Sequence, residues 1–366
     1  MCARFLSIVC CLLYCFTGSV WAADELSVPN GFSIKKIATV PKARSMVWGD
    51  EGTLFVGTQR GSKVTAVADV LGDNPRVYKL GEKLRLPNGV AFRDGDLYVA
   101  EITRILVWRD IESRLDAPGE PEVLIDDLPG GKLHSWKYIA FGPDGKLYVP
   151  IGAPCNICYE PDHGLILRMN PDGSGREVFA RGIRNTVGFD WHPQTGALWF
   201  TDNNRDMLGD NMPPGELNQA VAKGQHFGFP FCHGSNITEP DKELAKLGSC
   251  DDSTPPAQEL GPHVAPLGMA FYTGSQFPQA YQNQIFIAEH GSWNRSEKIG
   301  YRVTLVRLDE AGGKALSYEP FVEGWLQDGK VSGRPVDIIM APDGSLLVSE
   351  DKRGSIYRIS YTAVEK

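Results

Sequence analysis

Several absences narrow the functions open to this chain of 366 residues. No stretch approaches the length of about 18 apolar residues that a membrane-spanning helix needs. The chain has no basic run and a formal net charge of −8, so neither nucleic acid nor an anionic membrane is an expected partner. Helical periodicity is nearly absent, which favours an all-β fold. Cys158 is followed by Tyr159 rather than by histidine, so covalent c-type haem is not indicated.

The first 22 residues have the layout of a secretory signal peptide. Arg4 precedes an apolar stretch at 5–16, and small and polar residues then lead to Val20-Trp21-Ala22, a small-x-small cleavage pattern. We therefore expect a secreted or periplasmic protein whose mature part runs over residues 23–366. The alternatives are a buried N-terminal helix and a lipoprotein signal.

Four cysteines lie in the predicted mature part, an even number in a compartment that permits disulfides. Pairing of Cys155 with Cys158 and of Cys232 with Cys250 is the simplest of the three connectivities that four cysteines allow. A zinc site built from the same four is the alternative. The long gap between the two pairs and the predicted export count against it.

An internal repeat organises the predicted mature chain. Each copy has an apolar residue, a short turn rich in Pro, Asp and Gly, and a short apolar strand. The copies lie at 48–56, 92–99, 141–149, 191–200, 277–287 and 340–348. The copy at 277–287 has lost the Asp-Gly turn but keeps its strand. Asp-Gly turns between β-like runs are typical of hairpins, and a third β-like run follows most copies.

Radial repetition of such units predicts a six-bladed β-propeller of four-stranded antiparallel blades. The long interval between the fourth and fifth copies predicts a loop insertion around 201–262. Residues 31–40 (GFSIKKIATV) form a strand without a blade of its own, and we expect them to complete the last blade and close the ring. An irregular β-sandwich is the alternative, although a sandwich does not require self-similar turns.

The residues just before each copy should converge on one mouth of the central tunnel. Aligning the copies gives this set: Arg44, Ser45, Arg85, Asn88, His134, Ser135, Lys137, Arg184, Asn185, Gly333 and Arg334. So many cations on one rim of an acidic protein predict a site for an anion or an electron-rich polar molecule. His134 is the only histidine at such a position, and its ordinary pKa suits it to accept a proton near neutral pH. The alternative is that the cations pair with carboxylates across blades.

Two loops add to this mouth. Thr201-Asp202-Asn203-Asn204-Arg205-Asp206 and the later Glu216 offer oxygen donors of the kind that Ca²⁺ prefers, although without EF-hand spacing. A polar loop that uses Asn and Asp for turns is the alternative. The fifth inner segment, Val264-Ala265-Pro266, is apolar, and the loop that begins at His290 could supply what it lacks.

These residues together resemble the soluble quinoprotein sugar dehydrogenases, in particular their sorbosone dehydrogenase-like branch. The resemblance rests on His134 before FGPDGKLYV, Arg184-Asn185 before the fourth copy, Arg334 in GRPVDIIMAPDG, and GELNQAVAKGQHFGFP at 215–230. It implies a propeller that holds pyrroloquinoline quinone (PQQ) with Ca²⁺ over the tunnel mouth. The implied activity is oxidation of an aldose or sorbosone-like sugar, with electrons passed to an acceptor such as a cytochrome c.

The resemblance also implies roles for single residues. His134 matches the general base, and Arg184 matches the residue that stabilises charge on the quinone oxygen. Asn185 and Arg334 match cofactor contacts. The implied Ca²⁺ ligands are the side chain of Asn203 and the main-chain carbonyls of Asn204 and Arg205, while Glu216 falls near a second, structural Ca²⁺ site.

Two departures from the family pattern concern cofactor contacts. A lysine of the glucose enzymes has no clear counterpart, and Val336 stands where the family has a second arginine. We expect His290, Asn294 or Arg295 to substitute. A Ca²⁺-dependent lactonase on the same fold is the second interpretation and a non-catalytic binding propeller the third. Arginine and histidine stand where the lactonase needs acids, which counts against it.

Overall fold

The computed structural model describes residues 26–363. The predicted signal peptide at 1–22 and its cleavage point lie outside the described residues. Within them, 24 of the strands form six four-stranded antiparallel sheets, and two short two-stranded hairpins complete the β-structure. The predicted all-β, six-bladed propeller is therefore confirmed.

The strands of the blades follow one another in chain order. The first strand is β1 (Phe32–Thr39). Blade I contains β2 (Ala43–Trp48), β3 (Leu54–Thr58), β4 (Val64–Ala68) and β5 (Arg76–Leu80). Blade II contains β6 (Gly89–Arg93), β7 (Asp96–Ala100), β8 (Ile105–Trp108) and β9 (Glu122–Ile125). Blade III contains β10 (Ala140–Phe141), β11 (Leu147–Ile151), β12 (Leu165–Met169) and β13 (Glu177–Arg181).

Blade IV encloses the long insertion. It contains β14 (Phe189–Trp191), β15 (Leu198–Asp202) and β16 (Pro214–Ala220) and, after the hairpin of β17 (Cys232–His233) and β18 (Ile237–Thr238), its outer strand β19 (Gln258–Pro262). Blade V contains β20 (Pro266–Phe271), β21 (Ile285–Glu289), β22 (Arg302–Leu308) and β23 (Ala315–Val322). The hairpin of β24 (Leu326–Gln327) and β25 (Lys330–Val331) leads to blade VI, formed by β26 (Pro335–Met340), β27 (Leu346–Glu350), β28 (Ser355–Tyr361) and β1.

Helical structure is confined to short segments in the described chain. The α-helix α1 is Lys242–Ala245, and 3₁₀ turns occur at Glu112–Arg114, Cys250–Asp252 and Gln279–Tyr281. None of these helices is long and apolar enough to cross a membrane.

The prediction that residues 31–40 close the ring is confirmed. β1 pairs antiparallel with β28 from Phe32 opposite Tyr361 to Thr39 opposite Ser355. The N-terminal strand thus supplies the outer strand of a blade whose other three strands come from the C-terminal end. Because the chain runs from β1 directly into β2 of blade I, the hydrogen bonds between β1 and β28 close the ring.

The repeated turns also form as predicted. Gly52, Gly95, Gly145 and Gly344 have φ between 74° and 84°, a left-handed conformation in which glycine has no steric penalty. In the degenerate fifth copy Asn283 takes this role with φ 61°, because asparagine tolerates the left-handed region better than most side chains. The hairpin therefore survives without its Asp-Gly dipeptide.

Six hydrophobic clusters hold the blades together, each packed between two neighbouring blades. Trp108, Trp199 and Trp325 are among the largest fully buried side chains. The inner strands approach one another closely: a Cβ on Gly188 would lie 2.3 Å from the carbonyl oxygen of Leu267 in the next blade. Small residues therefore set the spacing of blades around the axis.

The predicted insertion is narrower than expected. The structure places β16 and β19 inside 201–262, so loop structure covers chiefly the part between them. Residues 214–220 contain Gly and Asn, which are uncommon in strands, so the sequence does not predict the strand β16. Its buried apolar side chains are Leu217 and Ala220. The predicted disulfides Cys155–Cys158 and Cys232–Cys250 are both present.

Candidate active site

One mouth of the tunnel opens into a cavity of about 740 Å³. Its wall is built from the starts of the inner strands and from the loops that follow the second strand of several blades. Six lysine and arginine side chains line it: Lys42, Arg44, Arg60, Arg184, Arg334 and Lys352. Its carboxylates are Asp206 and Asp351. A cavity with this balance in a chain of net charge −8 attracts anions.

The floor of the cavity is apolar. Trp136, Val187, Leu267 and Val336 pack together there, one from each of blades III to VI. Trp136 and Leu267 also line the cavity. The indole Nε1 of Trp136 is buried and has no hydrogen-bond partner among the described residues, an arrangement that is rare in folded proteins. A flat apolar ligand with a polar edge would cover this floor.

His134 lies in this cavity with a defined tautomer. Its Nδ1 is 2.7 Å from the carbonyl oxygen of Ala153, and because a carbonyl only accepts, Nδ1 carries the proton. Nε2 is then a lone-pair acceptor, and no described residue donates to it. Burial, together with the positive charge of Arg184, lowers the pKa of His134 to about 4, so the ring is neutral at pH 7.

The backbone around His134 is tightly constrained. His134 has φ 50°, in the left-handed region that non-glycine residues avoid. A Cβ on Gly152 would lie 2.6 Å from the Cβ of His134, so a side chain at position 152 would displace the histidine. Such local strain is often found at functional sites.

Arg184 is almost fully buried and held by its neighbours. Nε donates to the Asn156 carbonyl oxygen at 2.8 Å, Nη1 to the Asn203 carbonyl oxygen at 2.8 Å, and Nη2 to Asn156 Oδ1 at 3.0 Å and Asp206 Oδ2 at 3.3 Å. Burial lowers its pKa, although Asp206 opposes this. One Nη1 hydrogen is left without a described acceptor, since a guanidinium has five N–H donors.

Buried carboxylates at the ends of second strands hold the backbone at the mouth. Asp202 accepts from the amides of Arg184 at 2.8 Å and Asn185 at 2.6 Å, and burial raises the pKa of Asp202 to about 6. Glu101 in blade II and Glu350 in blade VI occupy the equivalent position. Glu350 accepts from the amides of Arg353 and Ser355. These acids fix the loops that carry the wall of the cavity.

Arg334, which is partly buried, is more available to a ligand than Arg44 or Arg184. Its Nε donates to the His290 carbonyl oxygen and its Nη2 to the Gly291 carbonyl oxygen, both at 3.0 Å. No ion pair joins Arg334 to a carboxylate among the described residues. The remaining N–H groups are free to bind an anion. Arg44 differs, because its Nη1 lies 2.9 Å from Asp351 Oδ2 across the junction of blades I and VI. For Arg44 the alternative of a cross-blade ion pair is therefore correct.

His290 also reaches the cavity, as the sequence predicted for the fifth-blade loop. Its Nε2 lies 2.9 Å from Asp351 Oδ1. Burial lowers the pKa of His290 to about 4. Although burial opposes it, the hydrogen bond from His290 and the charge of Arg44 hold the pKa of Asp351 well below its usual range. At neutral pH, Asp351 is thus a carboxylate that accepts from both.

Of the residues predicted to bind calcium, the structure places some in the cavity wall and others away from it. Asn203 and Asn204 line the cavity. Arg205 pairs with Glu239, and Glu216 is buried, accepting from Asn204 Nδ2 at 2.8 Å, from the Gly234 amide and from Asn218 Nδ2. Among residues 26–363 no group of three or more His, Cys, Asp or Glu side chains could hold a metal ion.

Most of the other predicted residues lie outside the cavity. Arg295 donates to Asn211 Oδ1 at 3.0 Å and links two surface loops, and Asn294 is not part of the wall. Arg85 is exposed, and the left-handed Leu86 (φ 52°) follows it directly. Lys137 is buried and donates to the carbonyl oxygens of Pro129 and Ser135. Asn185 does line the cavity, beside Arg184.

A family model described as TrAA12-like matches residues 168–362, which is more than half of the chain. The chain belongs to the TrAA12-like family.

Known proteins similar to this TrAA12-like chain include one of undefined activity. An uncharacterized protein of Borreliella burgdorferi is 35% identical over 364 residues, covering 94% of each chain. A pyrroloquinoline quinone-dependent pyranose dehydrogenase of Coprinopsis cinerea is 30% identical over an alignment of 231 residues that covers 50% of this chain. That match spans 31% of the Coprinopsis protein.

Solved structures share the fold. The holo PQQ domain of the Coprinopsis cinerea pyranose dehydrogenase superposes with a TM-score of 0.75 at 18% identity, covering 92% of this chain and 97% of that domain. The PQQ-bound aldose sugar dehydrogenase of Streptomyces coelicolor gives a TM-score of 0.67 at 21% identity, covering 92% and 100%. Together with the family-model match and the Coprinopsis sequence match, these structures confirm the predicted resemblance to the soluble PQQ-dependent sugar dehydrogenases, while the sorbosone dehydrogenase-like branch stays a prediction.

Several wall residues of this TrAA12-like site were not identified from its sequence: Lys42, Arg60, Trp136, His263, Asp351 and Lys352. Some of them could have been predicted from the direction of the second strand in each blade. In an antiparallel blade the second strand runs back toward the mouth, so residues after β3 and β27 must return to the cavity. This places Arg60, Asp351 and Lys352 there, as it places Asn203 after β15 and His290 after β21.

Proposed function

We propose that this chain is an exported PQQ-dependent dehydrogenase that oxidises a sugar. The observation that carries the proposal is the cavity itself, which combines an apolar floor, a cationic wall and a neutral histidine with a free Nε2. PQQ is a planar tricarboxylate quinone, so it requires a flat surface and cations at its edge. The PQQ-bound relatives support the same ligand.

The protein's own groups suit the roles that the chemistry needs. Arg334, with donors not engaged by the described residues, would bind a carboxylate of the cofactor. Arg184 would place its remaining N–H against an oxygen on which negative charge develops. Trp136, which lines the cavity, would offer an apolar surface to the ring of the cofactor. Bound PQQ supplies the two-electron acceptor for the hydride that leaves the substrate carbon.

His134 would act as the general base in this proposal. Its Nδ1–H is fixed on the Ala153 carbonyl oxygen, so the lone pair at Nε2 accepts the proton of the substrate hydroxyl. Burial, together with the positive charge of Arg184, keeps the ring neutral before the reaction, because both disfavour the imidazolium. A base that is already deprotonated at neutral pH is ready for each turnover.

Calcium enters the proposal only as a partner of the bound cofactor. No described residue donates a hydrogen bond to Asn203 Oδ1, while its Nδ2 is held by the carbonyl oxygens of Asn185 and Pro266. With the main-chain carbonyl oxygens of Asn204 and Arg205, the implied protein ligands number three, whereas Ca²⁺ takes six to eight oxygen ligands. The protein side does not form a complete calcium site, and Glu216 is committed to amide donors. We therefore assign calcium no step.

We propose an aldose or sorbosone-like sugar as the substrate and a cytochrome c or similar protein as the electron acceptor. Export through the predicted signal peptide at 1–22 belongs to the same proposal. The two disulfides support an oxidising compartment, because such bonds persist outside the cytosol.

Titration of the cofactor-free protein with PQQ tests the proposal. Binding should change the PQQ absorbance, raise the melting temperature and give sugar-dependent reduction of an artificial dye. Repeating the titration with and without Ca²⁺ separates the two cofactors. If PQQ leaves absorbance, melting temperature and dye reduction unchanged at every Ca²⁺ concentration, the proposal is wrong. Hydrolysis of lactones that requires Ca²⁺ but no PQQ would favour the lactonase instead.

A further inference from the structure

A small disulfide ring lies beside the buried arginine of the cavity. Cys155 and Cys158 are three positions apart and bonded to each other, and the ring they close contains Asn156 and Ile157. Asn156 does not line the cavity. It lies behind Arg184, and nothing in the sequence singled it out.

Asn156 uses its polar atoms on two partners only. Its main-chain carbonyl accepts from Arg184 Nε at 2.8 Å, and its Oδ1 accepts from Arg184 Nη2 at 3.0 Å. The same Oδ1 accepts from the Asp206 amide at 2.8 Å, and its Nδ2 donates to the Asp206 carbonyl oxygen at 3.1 Å. Both groups of the side-chain amide are therefore engaged.

These contacts join two pieces of the wall. The Asp206 side chain returns to Arg184, with Oδ2 at 3.3 Å from Nη2. Asn156, Arg184 and Asp206 thus form a closed triangle in which each residue contacts the other two. The direction of the guanidinium depends on Asn156, because two of the four hydrogen bonds that hold it come from this residue.

We infer that Asn156 is a positioning residue for Arg184 and that the Cys155–Cys158 disulfide holds Asn156 in place. The inference rests on the proposed function for its catalytic consequence, but its structural part can be tested without PQQ. The short ring closed by the disulfide restricts the main chain at Asn156. The Asn156 carbonyl oxygen and side-chain amide therefore stay within hydrogen-bond distance of the Arg184 guanidinium. Reduction would break the S–S bond to two thiols, with two electrons and two protons supplied by an added dithiol, and would release this restraint.

The first experiment measures hydrogen exchange in the cofactor-free protein. In Asn156→Ala the amide of Asp206 loses its acceptor, and its exchange should become about tenfold faster. Asn156→Asp keeps an oxygen at the Oδ1 position and should restore most of the protection. Asn170→Ala is the matched control, since Asn170 also bonds through its side chain, to Lys146 and Ser174, at a turn of blade III.

Unchanged exchange at Asp206 in Asn156→Ala would overturn the inference. Faster exchange spread over the whole chain would also overturn it, because it would show a general loss of stability. A local change at 203–207, absent from Asn170→Ala, supports it. None of these readings depends on PQQ, so failure of the proposed function would appear separately as a wild-type protein that does not bind PQQ.

The second experiment separates positioning from binding in the PQQ-loaded enzyme. Asn156→Ala should lower kcat by about 10- to 100-fold, because a displaced donor no longer meets the developing charge. The KM for sugar should change less than threefold, on the order expected for a group that does not touch substrate. An unchanged kcat alongside a raised KM would contradict the positioning role.

The disulfides offer a matched pair of variants. Cys155→Ser/Cys158→Ser should show the same local increase in exchange at Asp206 and the same fall in kcat. Cys232→Ser/Cys250→Ser removes a disulfide that contacts neither Arg184 nor Asp206 and should show neither effect. Equal effects in the two double variants would mean that the small ring has no special relation to the site.

Discussion

Arg334→Ala is the sharpest test of how the cavity binds its ligand. Arg334 donates one hydrogen bond each to the carbonyl oxygens of His290 and Gly291, which leaves three of its five N–H groups without a described acceptor. It also has no carboxylate partner among the described residues. Binding of a ligand carboxylate would therefore not first require breaking an ion pair.

The expected magnitude follows from this geometry. A hydrogen bond to a charged group contributes about 1.5–3 kcal/mol, and a bidentate pair makes two of them. Because Arg334 is only partly buried, we discount the sum for solvent screening to about 2–4 kcal/mol. At about 1.4 kcal/mol per factor of ten, Kd for PQQ should rise about 30- to 1000-fold.

The assay is isothermal titration of the cofactor-free variants with PQQ. Arg295→Ala removes the same charge near the mouth but outside the cavity wall, so it serves as the control. Arg334→Lys keeps the charge without the planar fork and should give an intermediate loss. If Arg334→Ala and Arg295→Ala weaken PQQ equally, net charge alone explains the effect, and the assignment of Arg334 is refuted.

Three further predictions follow from the site and the core. His134→Gln should retain PQQ binding and lose about 10²- to 10⁴-fold in kcat, measured by dye reduction, since only proton acceptance is removed; a kcat within fivefold of wild type, on the order of experimental scatter between preparations, would exclude His134 as the base. Asp351→Asn leaves the buried Arg44 without its carboxylate and should cost about 3–5 kcal/mol of unfolding free energy at pH 7. Because the folded pKa of Asp351 is lowered, its stabilisation is complete above its unfolded value of about 3.9 and is lost as pH falls below it. The wild type and Asp351→Asn should therefore differ at pH 7 and converge in acid, and a difference independent of pH would contradict the ion pair. Phe286→Ala should lower the unfolding free energy by about 3–5 kcal/mol in denaturant titrations, because the ring is fully buried at the junction of blades V and VI; a loss below about 1 kcal/mol would mean that the junction relaxes around the gap.

The parts of the fold that depend on local sequence were predictable. Asp-Gly turns determine the hairpins because glycine alone adopts their left-handed position freely, as at Gly52 and Gly95. The Cys155–Cys158 disulfide was predictable because its two cysteines are only three positions apart. The strand at 31–40 was recognised because it had no partner within its own repeat.

The site was predictable only where position along a repeat fixes position in space. His134, Arg184 and Arg334 precede inner strands and lie at the mouth, as the alignment of copies predicts. Arg85 has the same position in its repeat, yet it is exposed. Alignment places a backbone but does not decide which way a side chain points.

Other wall residues depend on contacts between distant segments. Asp351 is opposite Arg44 only because the ring closes between blades VI and I. His263 reaches the cavity after the insertion in blade IV, and its Nε2 lies 2.8 Å from the Gly209 carbonyl oxygen. No local pattern carries that information, because the length and path of the insertion determine it.

The closure of blade VI by β1 also sets the order in which the molecule can be completed. The two strands that pair there come from opposite ends of the described chain. During synthesis β1 is made first, and it cannot pair until β28 has been made. The junction between the terminal blades, and with it the Arg44–Asp351 contact in the cavity wall, is therefore among the last contacts to form. A truncation just before Ser355 would remove β28 and leave the ring open. It would weaken ligand binding in the cavity although no residue of the floor had been removed.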